Sequence, residues 1–109
     1  MEMSLRQLQI GERQVLVASG DVDLVSLPRF NDALARLVSG STGRTVVVDI
    51  DGTGLFEDAA LGLLIGAAGR ARTQSGDLVV VCTEPRLRER LAQNGFDRAV
   101  SVADSISNA

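Results

Sequence analysis

Two runs of apolar, largely β-branched residues, Thr45 to Ile50 and Leu78 to Cys82, constrain this chain more than any other feature. Neither run shows the alternation of a strand with one wet face, so both read as strands covered on both sides, the pattern of a parallel sheet. Parallel neighbours need a crossover of a dozen or more residues. The segment from Asp58 to Arg72 supplies one: Leu61, Leu64, Ile65 and Ala68 mark one face of a helix, and Ser75-Gly76 gives the turn that follows. Strand, helix and strand in this order predict a right-handed βαβ unit.

The flanks extend the same layout. Leu8 to Ile10 and Val15 to Ala18, separated by Gly11-Glu12-Arg13-Gln14, predict an antiparallel hairpin. A first helix is expected after Ser26 as cap and Pro28 in the opening turn; Phe30, Ala33, Leu34, Leu37 and Val38 recur at helical spacing, and Gly40, Ser41 and Gly43 end it. A third helix starts at Glu84-Pro85 with Leu87 and Leu91 inward and Arg86, Arg88 and Arg90 mostly solvated, and it ends near Asn94-Gly95. Val100 to Val102 adds a short last strand, and the tail from Asp104 to Ala109 is left unassigned. At 109 residues, with no internal repeat or linker, residues 1–109 are expected to form one domain. The fold class is α/β, a mixed, mostly parallel sheet of about five strands flanked by about three to four helices.

Composition removes several functions. The net charge is −3, and the 11 basic residues are all arginines scattered from Arg6 to Arg98, which gives a nucleic acid backbone no basic patch to bind. Trp and Tyr are absent and only Phe30, Phe56 and Phe96 are aromatic, so a base-stacking platform is missing as well. His and Lys are also absent, which excludes histidine bases, Schiff-base lysines and the lysine of a phosphate-binding loop. Cys82 is the only cysteine; it is expected to be a buried small hydrophobe, with no internal disulfide and no zinc site of Cys and His. No cofactor is expected. Residues Met1 to Ile10 carry charge where a signal peptide needs an apolar stretch, and no apolar segment approaches the length of a membrane span, so the expected compartment is the cytoplasm, without membrane insertion. The sequence carries no signal for oligomeric state.

Two motifs fall just beyond the first buried strand, where α/β proteins place their chemistry. Asp49-Ile50-Asp51-Gly52-Thr53 resembles the Asp-x-Asp-Gly-Thr signature of the haloacid dehalogenase superfamily. That resemblance implies a magnesium-dependent phosphatase, with Asp49 as nucleophile and Asp51 as general acid and base. About half of this chain precedes the signature, however, and no Lys is present for the superfamily's later basic residue. The alternative is that both carboxylates end a strand and bond to nearby backbone.

The second resemblance runs along nearly the whole chain. Ser19-Gly20-Asp21-Val22-Asp23, the run from Val46 to Ile50, the segment from Phe56 to Ala67, and Leu91-Ala92-Gln93-Asn94-Gly95-Phe96-Asp97-Arg98 resemble, in order and spacing, a STAS domain of the anti-sigma factor antagonist family. The resemblance implies a mixed sheet flanked by helices, no catalysis, and binding to an anti-sigma factor of the histidine-kinase-like ATPase fold, which frees a sigma factor for bacterial transcription. In that family the segment after the third strand reads Asp-Ser-Ser-Gly-Leu-Gly, and the anti-sigma factor phosphorylates its first Ser. Aligning Leu61-Gly62 without a gap places Glu57 on the family's Asp, Asp58 on the phosphorylated Ser, Ala59 on the second Ser and Ala60 on the Gly. The switch hydroxyl is replaced by a carboxylate, so phosphorylation at this position is not expected.

Asp58 then has two readings. Phosphoserine carries about −1.5 to −2 charge and three acceptor oxygens, so Asp58, with one charge on a shorter side chain, is a partial imitation of it. Asp58 also suits the cap of the second helix. The residues expected to meet the partner are Asp23, Glu57, Asp58, Ala59, Leu61 and Gly62. Glu57 and Asp58 have no third acidic neighbour for a metal, so no metal site is expected. Gly62, Gly66 and Gly69 share one side of the second helix and read either as a packing face against the domain's own sheet or as a docking surface. Thr53 and Ser26 are hydroxyls near the same end and stand as alternative phosphorylation sites. A further alternative is a STAS subunit of a larger assembly, such as a lipid-transport or stress-signalling complex.

Overall fold

The computed structural model describes residues 1–109. β1 (Ser4–Ile10) and β2 (Arg13–Val22) form the expected antiparallel hairpin, closed by a tighter turn at Gly11 and Glu12 with φ +61° at Gly11. α1 (Leu27–Ser39) leads to β3 (Thr45–Phe56), α2 (Asp58–Thr73) to β4 (Asp77–Val81), and α3 (Pro85–Gln93) with α4 (Phe96–Ala99) to β5 (Ser101–Ala103). The sheet order is β1-β2-β3-β4-β5, with β2 through β5 parallel. Spatial order equals chain order, so every crossover steps the same way, and right-handed connections then bring all the helices to one face.

Burial shows that arrangement directly. Leu16, Ala18 and Val22 of β2, Val46, Val48 and Ile50 of β3, and Leu78 and Val80 of β4 share one cluster with Phe30, Leu34 and Leu37 of α1 and Leu61 and Leu64 of α2. Phe30 meets Phe56 edge to face, with ring centroids 6.0 Å apart. The opposite face of the sheet holds a smaller cluster of Val15, Val47 and Val81, over which Ile106 and Ala109 pack. The tail therefore has a role that its composition does not announce: a 3₁₀ turn at Ile106–Asn108 covers valines that the helices leave bare.

Several expectations are corrected. β1, β2 and β3 are longer than their apolar runs, because backbone pairing continues through polar residues such as Ser4, Arg6, Ser19 and Thr53 once the register is set. Gly20 is fixed by that extension: its φ is +77° and a Cβ there would lie 2.2 Å from the Glu2 carbonyl oxygen. The last strand is Ser101–Ala103, one residue later than expected; Val100 instead ends α4, its amide donating to the Phe96 carbonyl at 3.0 Å, and is buried in the main core. Ile65 is 42% exposed, so the buried side of α2 runs through Leu61, Leu64 and Ala68 with Ala60, Ala67 and Ala71. Ser26 does precede α1, but its hydroxyl makes no bond to the helix and turns back to the Asp23 amide at 2.9 Å.

Candidate functional site

The C-terminal ends of β2 and β3 and the start of α2 meet at one corner of the molecule. The Glu57 amide donates to the Val22 carbonyl at 3.0 Å, which joins the end of the second strand to the first residue before α2. Asp21 braces the same corner: its carboxylate accepts the Leu55 amide at 2.9 Å and the Met1 ammonium at 2.6 Å. The ammonium and then that amide hold the Asp21 carboxyl below its ordinary value, and the Asp21 carboxylate in return raises the ammonium. Beyond Val22 the chain turns through Asp23, Leu24, Val25 and Ser26, a loop closed on itself. The Ser26 amide donates to Asp23 Oδ1 at 3.0 Å, and the Ser26 hydroxyl lies within bonding distance of the Asp21 carbonyl. Ser26 is itself buried, so this hydroxyl is a structural staple and not a presented group.

Glu57 occupies the N-cap position of α2 with extended backbone, and its side chain makes no capping bond. Asp58 is the first helical residue, where its negative charge suits the helix dipole. It does not cap the helix; its Oδ1 instead accepts a bond from Nη2 of Arg90, on α3, at 2.5 Å. The Asp58 side chain is 86% exposed. Ala59 and Gly62 are also exposed, while Leu61 turns inward. Along the outer side of α2 a groove of about 300 Å³ is lined by Asp58, Leu61, Gly62 and Ile65 from the helix and by Asn94, Gly95 and Phe96 from the turn between α3 and α4.

The glycine face of α2 is corrected here. Gly62, Gly66 and Gly69 are exposed, and a Cβ on Gly62 or Gly69 would meet nothing within 4 Å. Packing against the domain's own sheet is done by the alanines and leucines on the other side. Of the residues expected to act together, Glu57, Asp58, Ala59, Leu61 and Gly62 are neighbours at the start of α2; Asp58, Ala59 and Gly62 are exposed, Glu57 is half-buried and Leu61 is buried. Asp23 stands on the neighbouring loop, tied to them through Val22.

Asp49 and Asp51 are otherwise engaged. Asp49 Oδ1 accepts the Asp51 amide at 2.9 Å. Asp51 accepts the Thr83 amide at 2.5 Å, the Thr83 hydroxyl at 2.9 Å and the Glu84 amide at 3.2 Å. Glu84 in turn caps α3 by accepting the Leu87 amide at 2.7 Å. Both residues lie within β3 and not at its end as expected, because pairing with β2 carries the strand on to Phe56; the bonds of Asp51 brace the segment between β4 and α3. No group of three or more acidic, Cys or His side chains is placed to hold a metal ion. Thr53, the other hydroxyl at this end, donates to the Ile50 carbonyl at 2.7 Å.

Sequence reasoning missed two things at this corner. Arg90 lies 32 residues from Asp58, and no local spacing rule links them. Leu24, Val25 and Leu55 are 69%, 89% and 52% exposed; two adjacent apolar residues between an acidic residue and a serine were a readable signal.

Comparison with known proteins fits this geometry. No curated protein matches the chain. An anti-sigma factor antagonist from Mycobacterium paratuberculosis shares the fold with a TM-score of 0.86 and 19% identity, over 97% of this chain and 89% of its own. The anti-sigma factor antagonist SpoIIAA in its unphosphorylated form, a Bacillus protein, superimposes with a TM-score of 0.76 at 13% identity, over 95% and 91% of the two chains. A serine-to-glutamate variant of RsbS from Moorella thermoacetica gives 0.76 at 20% identity, over 95% and 89%. Residues 6–103 match the family model described as the MlaB STAS domain, and the chain therefore belongs to the STAS domain family.

Proposed function

We propose that this chain is a non-enzymatic anti-sigma factor antagonist that regulates bacterial transcription by docking on an anti-sigma factor of the histidine-kinase-like ATPase fold. One observation carries the reading: Asp58, aligned with the phosphorylated serine of that family, is the first residue of α2, and its side chain is 86% exposed. The remaining docking residues of this reading are Asp23, Glu57, Ala59, Leu61 and Gly62. A fixed carboxylate there removes the on and off cycle of a phosphoserine and leaves one permanent charge state.

The test is direct binding of the purified chain to the anti-sigma factors of its own genome, with ATP-dependent labelling as a second readout. Binding to one of them is expected, with label incorporated into Asp58→Ser and none into the parent. Binding to none of them, with Asp58→Ser equally inert, overturns the reading.

The description of the matching family model as the MlaB STAS domain favours a second reading, a STAS subunit of a lipid-transport or stress-signalling assembly that uses the same surface against another subunit. Copurification of a stoichiometric complex without any anti-sigma factor would decide for it.

A further inference from the structure

Leu24 and Val25 stand out to solvent at the tip of a stapled turn. Most exposed turns carry polar residues at such positions; here the two side chains are 69% and 89% exposed, and Leu55, 52% exposed, comes from the neighbouring end of β3. These are three of the six large apolar side chains that the chain exposes, and they gather at one corner. Their exposure is not looseness. The Ser26 amide and hydroxyl bond to Asp23, the Leu27 amide donates to the Asp23 carbonyl at 3.0 Å, and Asp21 holds the Leu55 amide. A turn whose backbone is fixed in this way presents its apolar side chains as a preorganised anchor, since little backbone freedom is left to lose on burial.

The charges around them define what covers the anchor. Four carboxylates stand at this corner: Asp21 is paired with the Met1 ammonium and Asp58 with Arg90, whereas Asp23 and Glu57 have no ion-pair partner. We infer that Leu24 and Val25 are the anchor by which the chain grips a protein partner, filling an apolar pocket whose rim carries arginine or lysine to meet Asp23 and Glu57. An apolar centre with a charged rim is the arrangement of a binding hot spot. A bilayer would answer the apolar pair, yet an anionic membrane surface would repel the two carboxylates that have no cationic partner. The inference deepens the docking reading above, on which it rests only for the identity of the partner.

A photo-crosslinking residue, p-benzoylphenylalanine, placed at Val25 in the full chain and expressed in the native host tests it, with the same residue at Glu12, on the far hairpin turn, as control. An adduct specific to position 25 is expected, mapping to a peptide of another protein that combines apolar residues with Arg or Lys. An adduct to lipid, to a second copy of this chain, or none above the Glu12 control overturns the inference. With the adducted protein purified, Leu24→Ser with Val25→Ser should weaken binding by about 100-fold, roughly tenfold per buried anchor residue, while the urea midpoint stays unchanged. Undiminished affinity overturns the inference too. If the adducted protein is not an anti-sigma factor, the proposed function falls and the anchor stands; if an anti-sigma factor binds parent and variant equally, the reverse holds.

Discussion

Nη2 of Arg90 lies 2.5 Å from Oδ1 of Asp58, which ties the third helix to the first turn of the second. Exposed pairs of this kind contribute only about 0.2–1 kcal/mol to stability, so its consequence lies in the charge shown to a partner. A single arginine offsets most of one carboxylate charge but not the roughly −1.5 to −2 of a phosphoserine. On the proposed docking reading, Asp58 with Arg90 then presents a partner with less net negative charge than a phosphoserine would, which makes the ion pair a determinant of binding.

Arg90→Gln should leave the urea midpoint almost unmoved and weaken binding to the anti-sigma factor. Adding Asp58→Ser should restore it, so that the two changes are non-additive in a double-mutant cycle. Calorimetric titration of the parent, both single variants and the double variant measures this. Equal affinities for parent and Arg90→Gln would make the ion pair a surface contact with no part in docking.

The exposed side of α2 offers a second test. Glycine within a helix costs roughly 0.5–1 kcal/mol relative to alanine, and a Cβ on Gly62 or Gly69 meets open space. Gly62→Ala and Gly69→Ala should each stabilise the chain by about that amount in urea denaturation. Gly62→Ala should at the same time weaken partner binding, because the added methyl enters the groove beside Asp58. Gly20→Ala is the opposite control: with φ +77° and the Glu2 carbonyl in the way, it should destabilise by more than about 1 kcal/mol.

Cys82 sits fully buried at the end of β4, and its thiol is pushed up to about 11, by burial first and by the charge of Asp51 second. The native protein should resist iodoacetamide at pH 8 and react only after unfolding. Since the folded state keeps this proton to a higher pH than the unfolded chain, stability should fall as pH rises from about 9 to about 11, by on the order of 2 kcal/mol. Urea titrations across that range, with Cys82→Ala as reference, isolate the effect. Rapid labelling of the native protein at pH 8 would contradict the burial.

How far the sequence leads can be seen residue by residue. The βαβ unit was legible because the runs at Thr45 and Leu78 have no wet face, and the core positions of α1, Phe30, Ala33, Leu34, Leu37 and Val38, are all buried as their spacing implies. Boundaries were less legible: β3 continues through Gly52 and Gly54 to Phe56 because β2 pairs with it, a tertiary cause that no local propensity records. At the site, the carboxylate at Asp58 was legible, whereas its counterion was not, since the fold alone brings α3 to α2. The period of Ile65 fits the buried stripe, yet the inner side of the helix is occupied by Leu61, Leu64 and four alanines, which leaves Ile65 at its exposed edge.

Asp51 connects the fold to the site and separates the phosphatase reading from the docking one. Its carboxylate takes the Thr83 and Glu84 amides and the Thr83 hydroxyl, and Glu84 caps the helix that carries Arg90. Asp51→Ala removes all three bonds and should lower stability by about 1–2 kcal/mol. Amide exchange at Thr83, Glu84 and Leu87 should quicken, and the loosened α3 should hold Arg90 less firmly against Asp58. On this account the parent with magnesium does not hydrolyse p-nitrophenyl phosphate, and Asp49→Asn alters nothing in that assay. Turnover by the parent that disappears in Asp49→Asn would instead make the two carboxylates a catalytic pair.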